Sequence, residues 1–253
     1  MTVTPSASRR VAIFGATSDI AAAVARHYAE GGAKLALVGR NQAGLATQAA
    51  DLKVRGAAEV VTLGADFADL DALASLADRA WQTFGGLDIV LIAYGSLPDQ
   101  AAMQASPDAT AAALTLNFTS PSVLIGALAT RFEAQRSGVI AAISSVAGDR
   151  GRKSNYVYGA AKGGLQRFLE GLRHRLHGAG VAVLDIRPGF VSTKMTEHLP
   201  RTGPLWATPE KVAVDITKAI DARRAVLYTP WFWQVILGIV TALPRSLFHR
   251  TSL

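Results

Sequence analysis

The chain has 253 residues, half of them hydrophobic and 18% charged, which suits a packed core and argues against disorder. It contains no cysteine, so disulfides, thiolate metal sites and a cysteine nucleophile are excluded. Lys and Arg outnumber Asp and Glu by 26 to 19, for a net charge of +7, but the basic residues are dispersed without an aromatic-basic platform, so nucleic acid is not an expected partner.

Met1 to Arg9 are polar and lack the apolar run of a secretory signal, so a cytoplasmic location is expected. Short β-branched runs then alternate with longer segments of helical apolar spacing. Strands are predicted at Val11–Phe14, Lys34–Val38, Glu59–Leu63, Leu87–Ile92, Gly138–Ser144, Val181–Ile186 and Ala225–Tyr228. Helices are predicted at Asp19–Glu30, Asn41–Val54, Asp69–Phe84, Ser106–Gln135, Asn155–His177 and Thr208–Ala222. Ser106-Pro107 and Thr208-Pro209 each place a hydroxyl cap before a proline at the first helical position, and Gly31-Gly32 and Gly85-Gly86 follow helix ends. Nearly continuous apolar strands imply helices on both sheet faces. The expected fold is α/β: one doubly wound parallel sheet of about seven strands over 1–229, followed by an apolar tail over 230–253.

The first strand runs into Gly15-Ala16-Thr17-Ser18-Asp19-Ile20-Ala21 and then a helix. Small residues in such a turn let the backbone approach a pyrophosphate, and the helix N-terminus supplies N–H groups and positive dipole. A carboxylate facing a pyrophosphate would repel it, so Asp19 is expected to point away or to bond the first-turn backbone. The second strand ends at Arg40, which matches a 2′-phosphate where an acid would take ribose hydroxyls, so NADP is preferred over NAD. Asp66 follows the third strand and either accepts from the adenine amino group or caps the next helix; Phe67 beside it, with Ala93 and Gly95 after the fourth strand, completes the expected cofactor wall.

Asn117 is a polar residue in an otherwise apolar helical stretch, where a bend would free it to hold a relay water. Ser145 closes the fifth strand, at the sheet edge where ligands bind, while Ser144 faces the other side. Tyr158 and Lys162 share a helix face at i, i+4. A free phenol has a pKa of about 10, and a nearby ammonium is expected to lower it. Tyr156 has alanine, not lysine, at the corresponding position.

Together these residues resemble the short-chain dehydrogenase/reductase family over about residues 9 to 228. The matching pieces are Gly15-x-x-x-Asp19-Ile20-Ala21, Asp66, Asn117, Ile143-Ser144-Ser145-Val146-Ala147-Gly148, Tyr158-x-x-x-Lys162 and Pro188-Gly189-Phe190-Val191-Ser192-Thr193. The resemblance implies a Rossmann-type fold, a catalytic tetrad of Asn117, Ser145, Tyr158 and Lys162, and a substrate loop opening at Pro188-Gly189. It also places Val191 and Thr193 near the nicotinamide carboxamide and implies a homodimer or homotetramer. The chain departs from the family at Asp19 and Ala21, which stand for glycines, and at Tyr94, whose bulk is expected to alter the cofactor wall. Arg152-Lys153-Ser154-Asn155-Tyr156-Val157-Tyr158-Gly159 and the Leu243-Pro244-Arg245-Ser246-Leu247-Phe248 tail are similar to polyprenylphosphoryl-2-keto-ribose reductases, which implies a lipid-linked 2-keto-sugar substrate.

From Ala225 to Leu243 the chain is almost wholly apolar, and after Asp221 it has no acidic residue. A helix from Trp231 to Pro244 falls short of the roughly 20 residues needed to span a bilayer. Lying in a membrane surface, closing the substrate pocket and contacting another subunit all remain open for it, with Gln234, Gly238 and Thr241 as a narrow stripe that could face the domain. The leading function is NADPH-dependent reduction of a ketone by hydride transfer, with Tyr158 as proton donor. A generic 3-ketoacyl or small-carbonyl reductase and, more remotely, a non-enzymatic NADP-binding sensor or scaffold are the alternatives. No metal is expected.

Overall fold

The computed structural model describes residues 8–200 and 203–251; most of the polar N-terminal stretch therefore lies outside the described residues. The strands are β1 Arg10–Phe14, β2 Lys34–Gly39, β3 Glu59–Gly64, β4 Ile89–Ile92, β5 Val139–Ile143, β6 Ala182–Pro188, β7 Phe190–Val191, β8 Trp206–Ala207 and β9 Val226–Thr229. Seven of them form one sheet in the order β3-β2-β1-β4-β5-β6-β9, with every neighbour pair parallel. The order reverses between β1 and β4, and a crevice opens at the carboxyl ends there. Alternate β1 side chains serve the two faces: Val11 and Ile13 join one buried cluster, Ala12 and Phe14 the other.

The helices are α1 Asp19–Glu30, α2 Gln42–Val54, α3 Leu73–Gln82, α4 Gln100–Ala105, α5 Pro107–Leu114, α6 Ser120–Gln135, α7 Tyr156–Leu176, α8 Pro209–Asp221, α9 Phe232–Ala242 and α10 Arg245–Phe248. Helix α3 starts later than expected because the carboxylates of Asp66 and Asp69 accept from the N–H groups of Ala68 and Ala72 and hold that stretch in turns. The short α4 and the parallel pair β7–β8 have no counterpart in the periodicity, being too brief to show one. The predicted helix from Ser106 to Gln135 is interrupted by a π-helical turn at Thr115–Thr119. By length and composition the stretch Pro107–Gln135 could cross a membrane, but Leu124, Ile125, Leu128 and Phe132 are fully buried in the core.

Helix α9 packs on the domain through Trp233 and Leu237, which close over Val146. The polar stripe of Gln234, Gly238 and Thr241 faces away from the domain, contrary to the sequence expectation, because the larger apolar side chains have more surface to remove from water. The Arg150 guanidinium donates to the carbonyls of Thr241 at 3.2 Å and Leu243 at 2.8 Å, and also to that of Val240, so a cation closes the negative end of α9. The same guanidinium lies 3.9 Å over the Phe248 ring and ties α10 to the body.

Candidate active site

The βα turn after β1 is held by local geometry. Gly15 has φ +83°, and a Cβ there would sit 2.7 Å from the backbone nitrogen of Tyr94, so only glycine fits the approach of this turn to the segment after β4. Ser18 caps α1 by accepting from Ala21 N–H. The Asp19 carboxylate points away from its own first turn and accepts from Lys194 N–H at 2.7 Å, which joins the turn to the loop after β7. This cradle of small residues at a helix N-terminus fits a dinucleotide pyrophosphate.

One cavity of about 340 Å³ lies at the carboxyl ends of the strands. Thr17, Ser18, Asp19 and Ile20 line it from the first turn, and Ala93 and Gly95 line it after β4. Pro188 at the end of β6, Gly189, Val191 of β7 and Thr193 line it from the far side of the sheet order. Asn117, Ser145, Tyr158 and Lys162 complete the wall, so the structure brings these four predicted residues together.

Four predicted cofactor residues do not line the cavity. Gly15 acts through the turn beneath it, and Arg40 is exposed beyond the end of β2. Asp66 is exposed, and its carboxylate accepts from Ala68 N–H in a turn ahead of α3, so it neither lines the cavity nor caps the helix, which has Ala72 at its N-cap. Phe67 is buried in the core, stacked on Tyr94 with ring centroids 3.9 Å apart. Tyr94 reaches the cavity wall, yet that stacking and the 2.9 Å hydrogen bond between its hydroxyl and Ser120 Oγ anchor its ring in the interior. Its bulk is absorbed by the core.

Asn117 sits in the π turn, fully buried. Its Nδ2 donates to Ala113 O at 3.0 Å and its Oδ1 accepts from Ser96 N–H at 3.1 Å. Single π turns inside α-helices are frequent at functional sites. Ser144 also borders the cavity, but it is buried and its hydroxyl is engaged with Asp185 Oδ1 and Ile186 O.

Tyr158 and Lys162 ride on α7, and glycine sets how close α7 comes. Cβ atoms at Gly159 and Gly163 would lie 2.9 Å from Ala147 O and Gly148 O, and one at Gly148 would lie 2.7 Å from Gly163 N. The helix carrying the phenol and the amine is thus pressed backbone to backbone on the turn that follows Ser145. Gln166, one turn beyond Lys162, fastens the contact by donating to Ser145 O at 2.9 Å and Asp149 Oδ1 at 3.0 Å. Sequence reasoning missed this glycine stripe and Gln166. Their i, i+4 spacing from Gly159 and Lys162 was the available signal.

Burial pushes the Tyr158 phenol up to about 12, opposed in part by its hydrogen bond with Ser145. This reverses the expected lowering. The Lys162 ammonium lies 5.8 Å from the Tyr158 ring centroid and donates to Ile143 O at 3.0 Å, while loss of solvent dominates the phenol. Burial likewise pulls Lys162 down to about 8, with the carboxylate of Asp185 acting in the opposite sense. A phenol held neutral by burial can donate a proton.

The chain's likeness to known proteins agrees with this geometry. Residues 9–203 match the family model for short chain dehydrogenases. An uncharacterized oxidoreductase of Mycobacterium tuberculosis is 37% identical over 240 residues, covering 95% of this chain and 96% of that protein. An uncharacterized oxidoreductase of Streptomyces coelicolor is 34% identical over 248 residues, covering 96% and 95%. Among solved structures, a short-chain dehydrogenase from Sphingobium yanoikuyae in complex with NADPH superposes with a TM-score of 0.81 at 25% identity, covering 94% of this chain and 97% of that one.

Proposed function

The chain belongs to the short-chain dehydrogenase family of NAD(P)-dependent oxidoreductases, and from that premise we propose that it reduces a ketone to a secondary alcohol with NADPH. The observation that carries this reading is the convergence of Ser145, Tyr158, Lys162 and Asn117 on one cavity, with the phenol kept protonated by burial. When bound, the nicotinamide supplies the hydride for the carbonyl carbon. The Ser145 hydroxyl holds the carbonyl oxygen, and the Tyr158 hydroxyl gives it a proton. Lys162 stabilises the resulting phenolate, and Asn117 holds the relay that returns a proton from solvent. The test follows NADPH absorbance against a panel of ketones that includes polyprenyl-linked keto-sugars. Tight NADPH binding with no ketone consumed would overturn the assignment.

Exposed Arg40 supports a preference for NADPH, as does the NADPH held by the Sphingobium protein. Arg40→Ala is expected to weaken NADPH binding about tenfold, the worth of one charge-assisted contact, while leaving NADH binding within twofold. Equal losses for both cofactors, measured by fluorescence titration, would remove Arg40 from this role.

We place the substrate on a lipid and the enzyme at the cytoplasmic membrane face. The motif resemblance supports this, as does the outer face of α9: Trp231 is 74% exposed, Val235 55% and Ile239 64%, with Arg245 and Arg250 following and no acid nearby. An apolar stripe beside cationic residues suits an anionic bilayer surface. Replacing Trp231, Val235 and Ile239 by serine spares the buried Trp233 face. This triple variant should lose most co-sedimentation with phosphatidylglycerol vesicles. Undiminished sedimentation, or a change in oligomeric state without any vesicle binding by the parent, would refute the membrane role.

A further inference from the structure

Between the turn after Ser145 and the start of α7, the chain brings Arg152 and Asn155 into the cavity wall. Arg152 Nε is buried and has no hydrogen-bond partner. Asp149, just upstream in the chain, is already engaged: Gln166 and Arg187 donate to Oδ1, each at 3.0 Å, and the Tyr228 hydroxyl donates to Oδ2 at 2.8 Å. Asp185 is taken as well, by Arg187 Nε at 2.7 Å. Burial therefore disfavours the Arg152 charge more than Asp149 supports it. Asn155 Oδ1 and Trp233 Nε1 are also buried without partners, and both residues line the same cavity.

A part-buried guanidinium whose Nε is shut from solvent with no partner is costly, and a substrate anion would relieve that cost. Arginine also matches the planar, forked geometry of carboxylate and phosphate oxygens. The same cavity is lined by Leu97, Val146, Phe190, Met195 and Leu199 together with the Trp233 ring, with Lys194 and Thr196 as polar members of its wall. The Trp233 indole seats directly over Gly189, where a Cβ would lie 1.9 Å from Nε1, so the C-terminal helix is itself part of this wall.

We propose that Arg152 is the residue that selects the substrate, by binding an oxyanion, phosphate or carboxylate, on an otherwise apolar ketone. This rests on reading the cavity as a ketone-reductase site. Two measurements separate the two claims. In the first, phenyl phosphate and benzoate are titrated calorimetrically into protein saturated with NADP, so that the cofactor's own phosphate contacts are filled. At least one should bind, Arg152→Gln should weaken it about tenfold or more, and Arg152→Lys should recover part of the loss. Binding of phenyl phosphate alone identifies a phosphate site, and binding of benzoate alone a carboxylate site. No binding of either, or equal binding by Arg152→Gln, overturns the proposal.

In the second, NADPH-dependent reduction of 4-acetylphenyl phosphate and 4-acetylbenzoate is compared with that of neutral 4-acetylanisole. The parent should favour an anionic ketone in kcat/KM by about tenfold, and Arg152→Gln should bring the ratio near one. Arg152-dependent anion binding with no ketone reduced would leave the anion site standing and remove the reductase reading. Reduction without charge preference, and without Arg152-dependent binding, would do the reverse.

Discussion

Tyr158→Phe is expected to lower kcat by about 10²- to 10⁴-fold, the range attributable to one positioned general acid, with NADPH affinity changed by less than about threefold. The substitution removes a single oxygen and keeps the ring that α7 carries into the cavity, so packing is little altered. What is lost is a proton source whose pKa burial pushes up to about 12. Such a group is fully protonated at neutral pH and gives its proton only as negative charge develops on the carbonyl oxygen. Its contribution therefore falls in the transition state, and kcat should drop with little change in KM. Steady-state kinetics and a fluorescence titration of NADPH decide the point. Turnover within fivefold of the parent would sink the assignment of Tyr158 as proton donor.

The second large effect is expected far from any reacting atom. Gly163→Ala would place a methyl 2.9 Å from Gly148 O, against backbone that cannot rotate away. Alanine gains about 1 kcal/mol of helix propensity over glycine. Overpacking a close backbone contact costs about 1–3 kcal/mol, so the clash outweighs the propensity. The relief available is a shift of α7 away from the turn after Ser145, which separates Tyr158 and Lys162 from Ser145. Misplacement of about 1 Å can cost on the order of 10²-fold in rate, so kcat/KM should fall by about 10- to 100-fold with a modest drop in thermal stability. Gly171→Ala on the same helix meets nothing within 4 Å and serves as the control, with stability slightly raised. Equal kinetics for the two variants would show that the glycine contact does not position the site.

Much of this architecture was legible in the residues. Strand and helix positions agree within a few residues because apolar periodicity and caps are local signals: Thr208 before Pro209 and Ser106 before Pro107 both cap as read. Helix α3 was misjudged at its start because two aspartates satisfied turns instead of beginning a helix. In the site, the i, i+4 spacing singles out Tyr158 and Lys162 and the strand end singles out Ser145, while the set of four with Asn117 is what the family resemblance implies. Phe67 is not among the residues lining the cavity; its ring stacks on Tyr94 in the core, an orientation that spacing does not report.

The sequence by itself determined the alternation of strand and helix, the glycine-bearing first turn and the i, i+4 pairing of phenol and amine, since each depends on residues near one another in the chain. Only the tertiary structure decided the charge state of that pair, because desolvation depends on everything packed around Tyr158 and Lys162. It also decided the two ends of the cavity wall: Trp233 arrives over Gly189 from the last long helix, and Arg152 is left without a carboxylate because Asp149 is bound elsewhere. These are contacts between distant segments, and no pattern within any one segment encodes them.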